Sequence, residues 1–333
     1  MKLVRAGLTF LLLVVFATAC GGAGSGSASS AGSTKLTVGY SNISGDFLPV
    51  WVAKEAGIFK SNGLDVDLVY QNGGTRAMAS LLSGGTQISQ MGGSEPLSAA
   101  GGGAQPVILG TLDPVYPYKL EAQPGIKAAA DLKGKKIGVA DIGGSDYIAC
   151  QVALPRMGVD PSSVTFVPVS SHANRTAALL GASVQAGMDD PPDSVKVEQH
   201  GLHPLVDLAQ LKQPAAQTVV AASRSWLDGH RATAQHYMDA IVEAIARIKR
   251  DRAFSVSMLE KYFKSQDQQA MDQAYTFFAT EALPSLPYPT AQQFTETQRV
   301  LGRSNAKVSN VDAAKLLDGS LVHNAATRGL GRE

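Results

Sequence analysis

The chain has 333 residues, of which 44% are hydrophobic and 17% charged, and its 29 basic and 28 acidic side chains give a formal net charge of +1. Such a balance provides no basic patch, so we expect no nucleic-acid partner. Two cysteines, Cys20 and Cys150, are too few for a metal site built on a cysteine cluster, whereas the length suffices for two lobes with separate cores.

The first nineteen residues have the pattern of an export signal. Lys2 and Arg5 precede an almost wholly apolar run over residues 8–16. This run is too short to span a bilayer, because a spanning helix needs about 20 residues, but it suits the hydrophobic region of a secretory signal. We therefore predict a signal peptide over residues 1–19.

The residues at the end of this segment resemble the lipobox of bacterial lipoproteins. The match is Ala17-Thr18-Ala19-Cys20, with Ala17 where that family most often has leucine. The resemblance implies that Cys20 is lipidated and anchors an exported protein to the outer face of the bacterial cytoplasmic membrane, since several acyl chains anchor stably. Ordinary secretory cleavage, which would release a free protein, is the alternative. Residues 20–34, with the lipidated cysteine first, are rich in glycine and serine and predict a flexible tether.

Strands and helices alternate along the next part of the chain. Apolar patterns predict strands over residues 35–40, 64–70, 87–91, 107–112, the end of 131–140, 164–169, 184–188 and 219–222. Helical spacing and caps predict helices over residues 46–57, 75–84, 94–100, 145–157, 174–180, 231–250, 255–263, 267–282 and 290–301. The alternation predicts an α/β fold with a parallel or mixed sheet, followed by a largely helical carboxyl-terminal third.

Local signals define two of these helices most clearly. Asp46 is expected to cap the helix over 46–57, with Pro49 in its first turn. Apolar residues recur at helical spacing within 231–250 and predict one buried face. They are Ala234, Met238, Ile241, Ile245 and Ile248.

Four connections from a strand to a helix contain glycine or small polar residues. They are residues 41–46, 72–75, 92–94 and 141–145. The amino terminus of a helix has unpaired N–H groups and a partial positive charge, and open α/β sheets bind ligands at the carboxyl ends of their strands. One such loop is commonly structural only, but four of them in two α/β halves predict a ligand-binding cleft.

Residues 35 to about 320 resemble the substrate-binding proteins of bacterial ABC importers of the nitrate, sulfonate, taurine and thiamine-precursor group. The resemblance is carried by VWVAKEAGIF at 50–59 with NGLDV at 62–66, GGSEP at 92–96 and DLKGKKIGV at 131–139, in that order. It implies a type II periplasmic-binding-protein fold, in which two α/β lobes joined by a two-strand hinge close on a ligand.

The resemblance also implies the limits of the lobes and the function. Lobe one would comprise residues 35–124 and 217–333 and lobe two residues 125–216, with the hinge near 116–118 and 218–222. The protein would capture a small molecule between the lobes and deliver it to an ABC permease. No catalysis, cofactor or metal is expected.

Thirteen residues are expected at the cleft. The resemblance places there Ser41, Asn42, Gly74, Thr75, Ser94 and Glu95 from lobe one and Ser145, Asp146, Tyr147, Asp189 and Asp190 from lobe two. Asp46 and Phe47 also fall in the predicted cleft loops.

The charges near the cleft argue against an anionic ligand. Five of the thirteen residues are acidic, and only Arg76 and Arg175 lie near enough in the sequence to offset them. Because a buried carboxylate facing an anion is costly, we expect an amine or a nitrogen heterocycle rather than a sulfonate. Phe47 and Tyr147 could stack on a ring, while Asp46 and Asp146 are equally suited to capping helices.

Two other classes of protein remain as alternatives. The same fold group includes a pyrimidine synthase and a desulfinase, but this chain lacks a cysteine-rich motif, and Cys150 is expected to be a buried helical residue. His172 is expected to be an exposed loop histidine, with ligand contact as the second interpretation. A sensor lipoprotein that keeps the fold without transport is the other alternative.

Overall fold

The structure, a computed structural model, describes residues 33–332. The predicted signal peptide, Cys20 and the predicted tether as far as residue 32 lie outside these residues. Ten strands are described: β1 (Thr34–Tyr40), β2 (Leu64–Tyr70), β3 (Ile88–Met91), β4 (Pro106–Val115), β5 (Lys119–Ala122), β6 (Lys136–Val139), β7 (Thr165–Pro168), β8 (Ala186–Asp189), β9 (His203–Asp207) and β10 (Pro214–Ser223).

Thirteen α-helices are described in the same range. They are α1 (Leu48–Glu55), α2 (Ile58–Ser61), α3 (Gly74–Ser83), α4 (Ser94–Gly101), α5 (Ser145–Arg156), α6 (His172–Leu180), α7 (Asp193–Gln199), α8 (Arg224–Arg250), α9 (Arg252–Phe263), α10 (Gln268–Phe277), α11 (Thr295–Gly302), α12 (Ala306–Ser309) and α13 (Ser320–Thr327). Across residues 33–332, none of the helices combines the length and apolar character needed to cross a membrane.

The strands form two five-stranded mixed sheets with the same topology. The first has the order β2-β1-β3-β10-β4 and the second the order β7-β6-β8-β5-β9. In each sheet three parallel strands lie beside an antiparallel strand that the chain brings in from the other sheet: β10 enters the first sheet and β5 the second. The predicted α/β class is confirmed.

The chain passes between the sheets twice. Residues 116–118 connect β4 to β5, at the position predicted for the first passage. The second passage was predicted near 218–222, but those residues lie inside β10 and pair with β3 and β4. Residues 208–213 make this connection instead, because β10 begins at Pro214, opposite Val115 of β4.

Apolar side chains cover both faces of both sheets. On one face of the first sheet the core includes α1, α8 and α9, and on the other it includes α3 and α4. α5 packs on one face of the second sheet, while α6 and α7 pack on the other. The predicted apolar face of the helix over 231–250 is confirmed, since all five of its residues are fully buried in α8. Burial of such side chains is the main term that stabilises the fold.

The sequence patterns missed six of these elements: β5, β9, α2, α7, α12 and α13. β5 is only four residues long and includes the charged Lys119 and Glu121, so it lacks an apolar run. β9 contains Pro204, and a proline argues against a strand because it has no backbone N–H to donate. α7 follows two consecutive prolines, which ordinarily mark a loop.

Asp46 is not the helix cap that the sequence predicts. It lies in a short 3-10 turn, Gly45–Phe47, and Phe47 precedes α1 without a side-chain cap. Its carboxylate instead accepts a hydrogen bond from the hydroxyl of Thr218 in β10.

The buried carboxyl group of Glu121, in β5, makes the stability of the second sheet depend on pH. Burial, and next the Glu198 carboxylate, raise the pKa of Glu121 to about 9. The folded state therefore keeps a proton that the unfolded chain releases, so stability is lost as pH rises from about 4.3 towards 9. We expect Glu121→Gln, which resembles the protonated acid, to raise the free energy of unfolding by about 2 kcal/mol near pH 7.5 and to change it little near pH 4.

Urea denaturation at both pH values measures this difference. The exposed Glu281 provides the control, since Glu281→Gln should change stability by less than about 0.5 kcal/mol at either pH. A destabilised Glu121→Gln variant near pH 7.5 would show that the carboxylate form is the one stabilised in the fold.

Candidate functional site

A small cavity lies between the two sheets, at the carboxyl ends of β1, β2, β3, β6 and β7. Its volume is about 20 Å³, measured as the space open to the centre of a water molecule, which corresponds to about one water-sized group. The position matches the general rule for ligand sites in open α/β sheets. Seven of the thirteen residues predicted at the cleft line it: Asn42, Asp46, Phe47, Gly74, Glu95, Ser145 and Asp146.

The other six predicted residues lie elsewhere. Thr75 and Ser94 line an adjoining groove rather than the cavity. Tyr147 packs edge-on against Phe166 at the margin of the second core. The remaining three, Ser41, Asp189 and Asp190, are buried side chains outside the cavity lining.

Glu95 projects into the cavity because two glycines leave room for its carboxylate. A Cβ atom added to Gly74 would lie 2.1 Å from Glu95 Oε1, and one added to Gly92 would lie 2.7 Å from Oε2. The same added atom on Gly92 would lie 2.4 Å from the Ser145 hydroxyl oxygen, which α5 brings from the second sheet. Burial, and then Asp141 and Asp146, raise the pKa of Glu95. The two sheets thus meet around a carboxyl group.

Asp46 has one oxygen without a partner. Thr218 donates to Oδ2, but Oδ1 is buried and accepts no hydrogen bond within the described part of the chain. Burial raises the pKa of Asp46. Asp113 and Asp190 lie near enough to contribute repulsion, and the pKa of each is raised well above its ordinary value by burial first and by Asp46 next. Ser44 donates to Asp190 Oδ2 at 2.7 Å.

Asp146 and Asp189 are held by a buried arginine. Arg175 donates from Nη1 to Asp146 Oδ2 at 2.6 Å, and from Nε and Nη2 to Asp189 Oδ1 at 2.9 and 2.6 Å. All three side chains are almost fully buried. Asp146 also accepts from the backbone N–H of Ala140 at 2.6 Å. This ion pair network therefore ties α5 and α6 to the second sheet, and the guanidinium charge is already balanced by two carboxylates.

Two further buried polar side chains line the cavity: Gln217, which the sequence did not single out, and His172, for which ligand contact was the second interpretation. Gln217 Oε1 and His172 Nδ1 are buried without hydrogen-bond partners among residues 33–332. His172 is only 8% exposed, so its interpretation as an exposed loop histidine is wrong. Burial, and then Arg175, lower the pKa of His172 to about 3, so its ring is neutral near pH 7.

Seven other lining residues were not among the thirteen predicted, although Gly73, Gly92, Asp141 and Gly144 belong to the connections that predicted the cleft. The seven are Gly73, Gly92, Ala140, Asp141, Gly144, Ser170 and Thr218. A usable signal existed for Gln217 and Thr218, because they are polar residues inside the otherwise apolar run of β10, and buried polar residues are the informative exceptions in a core. His172 and Ser170 had no comparable local signal.

No cluster of metal-binding side chains is found over residues 33–332. Cys150 lies fully buried in α5 within the second core, as predicted, and does not line the cavity. Burial, and then Asp146, raise the pKa of its thiol well above the ordinary value. A thiol of this kind is a poor nucleophile at neutral pH.

Comparison with known proteins decides the family. Residues 44–251, more than half of the chain, match the family model described as NMT1/THI5 like. The chain belongs to the NMT1/THI5-like family. A curated relative in Bacillus subtilis (strain 168), named "Putative binding protein YtlA", is 28% identical over 63% of this chain. The match covers 65% of that relative, slightly less than two thirds of its length.

Solved structures establish the fold of this NMT1/THI5-like chain. The alkanesulfonate-binding protein SsuA from Xanthomonas axonopodis pv. citri, bound to MOPS, superposes with a TM-score of 0.70 at 20% identity, over 88% of this chain and 97% of that one. The desulfurization enzyme DszB superposes with a TM-score of 0.66 at 18% identity, over 88% of this chain and 99% of that one. The predicted periplasmic-binding-protein fold is confirmed, and it is shared by a binding protein and an enzyme.

Proposed function

We propose that this protein is an exported solute-binding lipoprotein, which captures a small molecule in the cavity between its sheets and delivers it to an ABC permease. Family membership and the name of the curated relative support a binding role. The proposal includes the signal peptide over 1–19, lipidated Cys20 and the tether over 20–34. Lobe one would consist of residues 35–124 and 217–333, and lobe two of residues 125–216.

The ligand is an amine or a nitrogen heterocycle rather than a sulfonate. The observation that carries this choice is a set of three buried polar atoms without partners at one cavity: the oxygen acceptors Asp46 Oδ1 and Gln217 Oε1, and the ring nitrogen His172 Nδ1. Glu95 adds a carboxyl group, and none of the described residues that line the cavity is lysine or arginine. A buried acceptor left unpaired costs about 1–3 kcal/mol, so a ligand that donates N–H groups recovers free energy that an anion would not.

The residues present favour binding over catalysis. Cys150 has the only thiol in residues 33–332, and it is enclosed in the second core. The neutral ring of His172 could act as a base. However, among the described residues that line the cavity, no serine or cysteine forms a hydrogen bond with it. A sensor lipoprotein would use the same cavity. Uptake assays in cells with and without this protein distinguish a transport protein, whose loss abolishes uptake of the ligand, from a sensor.

Isothermal titration calorimetry with a panel of ligands tests the ligand class. We expect measurable heats with primary amines and aminopyrimidines, and none with taurine, alkanesulfonates or nitrate. Mass spectrometry of small molecules released from protein purified without added ligand identifies what is carried. Tight binding of taurine or an alkanesulfonate, with the amines silent, would contradict the proposal.

A further inference from the structure

A groove continues outward from the cavity and has a different chemistry. It measures about 470 Å³ on the same scale as the cavity, compared with about 20 Å³ inside. The two spaces share Glu95, Asp141 and Gly144. The cavity and the groove are therefore adjacent, with these three residues at their shared margin.

Apolar side chains from both sides line this groove. Leu82, at the end of α3, is 46% exposed, and Ile142, in the loop after β6, is 57% exposed. Met78 and Leu301 form further parts of the lining. The loop with Ile142 lies directly over α11, because a Cβ atom added to Gly143 would lie 3.5 Å from Leu301 Cδ2. Single exposed apolar residues are common on protein surfaces, but here two from different sheets face one groove that opens from a binding cavity.

The cavity and the groove differ in size and polarity, so they suit two chemically different parts of one ligand. The inner cavity holds about one water-sized group, and a primary ammonium group is of that size and has three N–H donors. Asp46 and Gln217 each present an unpaired oxygen acceptor there, and His172 presents an unpaired ring nitrogen. The remainder of any larger ligand has to occupy the groove, where an apolar substituent would contact Leu82 and Ile142.

We infer that the ligand is an amphipathic primary amine, with its ammonium group in the inner cavity and an apolar substituent in the groove between Leu82 and Ile142. This inference rests on the proposed function and narrows its ligand class. The groove is then a specificity subsite, since the area of apolar surface buried there sets the affinity within a series of amines.

Dissociation constants of the n-alkylamines from ethylamine to pentylamine, measured by calorimetry, test the inference. We expect the affinity to rise about threefold for each added methylene, and the matching n-alkanesulfonates not to bind. In Leu82→Ser and Ile142→Ser the factor by which each added methylene raises the affinity should fall from about three towards one. The affinity for ethylamine should change less than about twofold. The control is Leu211→Ser, because Leu211 is 51% exposed but lines neither space.

The outcomes separate this inference from the proposal on which it rests. If ethylamine binds but longer chains gain nothing, the apolar subsite is overturned and the proposed ligand class stands. The same conclusion follows if both serine variants keep the wild-type gain per methylene. If no amine of the series binds but aminopyrimidines do, the inference is overturned and the proposed ligand class stands. If neither the amines nor the aminopyrimidines bind, the proposed ligand class is overturned as well.

Discussion

Replacing Arg175 with methionine is expected to lower the free energy of unfolding by about 3–5 kcal/mol. The guanidinium group is fully buried and pairs with both Asp146 and Asp189 at 2.6 Å. Its removal leaves two buried carboxyl groups without a cation, and breaking a buried pair in this way is strongly destabilising. Urea denaturation followed by circular dichroism measures the loss.

Two controls make this result specific to the buried network. Arg231→Met removes a bidentate pair with Asp318 in which the arginine is 52% exposed, and it should cost less than about 1 kcal/mol. Combining Arg175→Met with Asp146→Asn and Asp189→Asn should recover at least about half of the loss, because neither of the carboxylates that paired with Arg175 remains. A loss below about 1 kcal/mol in Arg175→Met alone would contradict the assignment.

Replacing Asp46 with asparagine is expected to weaken amine binding by about 10- to 100-fold. The substitution removes the negative charge while keeping the size of the side chain, and hydrogen bonds to charged groups contribute about 1.5–3 kcal/mol. Calorimetric titration of the wild type and the variant with the same amine measures the change. Affinity within a factor of about two of the wild type would mean that the ammonium group does not lie against Asp46.

Asp46→Asn is expected to weaken amine binding without lowering the free energy of unfolding. Burial raises the pKa of Asp46, so ionising this carboxyl group costs more free energy in the folded protein than in the unfolded chain, and stability is lost as pH rises through the raised pKa. Asp46→Asn should therefore be at least as stable as the wild type near pH 7, with an advantage that grows with pH. Asp67→Asn, at an exposed position of β2, should alter neither property. A variant that lost binding because it unfolded would fail this test.

Local patterns were sufficient for most of the secondary structure. The strand over residues 64–70 was predicted with its observed limits, and the helices over 75–84 and 145–157 to within one residue at each end. Apolar periodicity and caps act within one or two turns of chain. Elements without such signals, such as β5 with its two charged residues, were missed.

The sequence predicted which loops line the cavity more accurately than it predicted the roles of their acidic side chains. The glycine-containing connections do meet there, because they follow the carboxyl ends of neighbouring strands. The roles of the acidic residues were not accessible from the sequence. Asp146 and Asp189 neutralise Arg175, which α6 supplies. Asp46 accepts a hydrogen bond from Thr218, which lies in a strand far along the chain, through Oδ2 only, so its Oδ1 stays unpaired.

The sequence by itself determined the α/β class, the family resemblance and the excess of acidic residues near the cleft, since composition, periodicity and short motifs are properties of contiguous residues. Only the tertiary structure decided which polar groups remain unpaired. The hydrogen bond between Ser44 and Asp190 joins residues 146 positions apart, and the one between Thr218 and Asp46 spans 172. Whether a buried carboxylate is satisfied depends on such contacts, and these are fixed by how the two sheets pack, not by any local pattern.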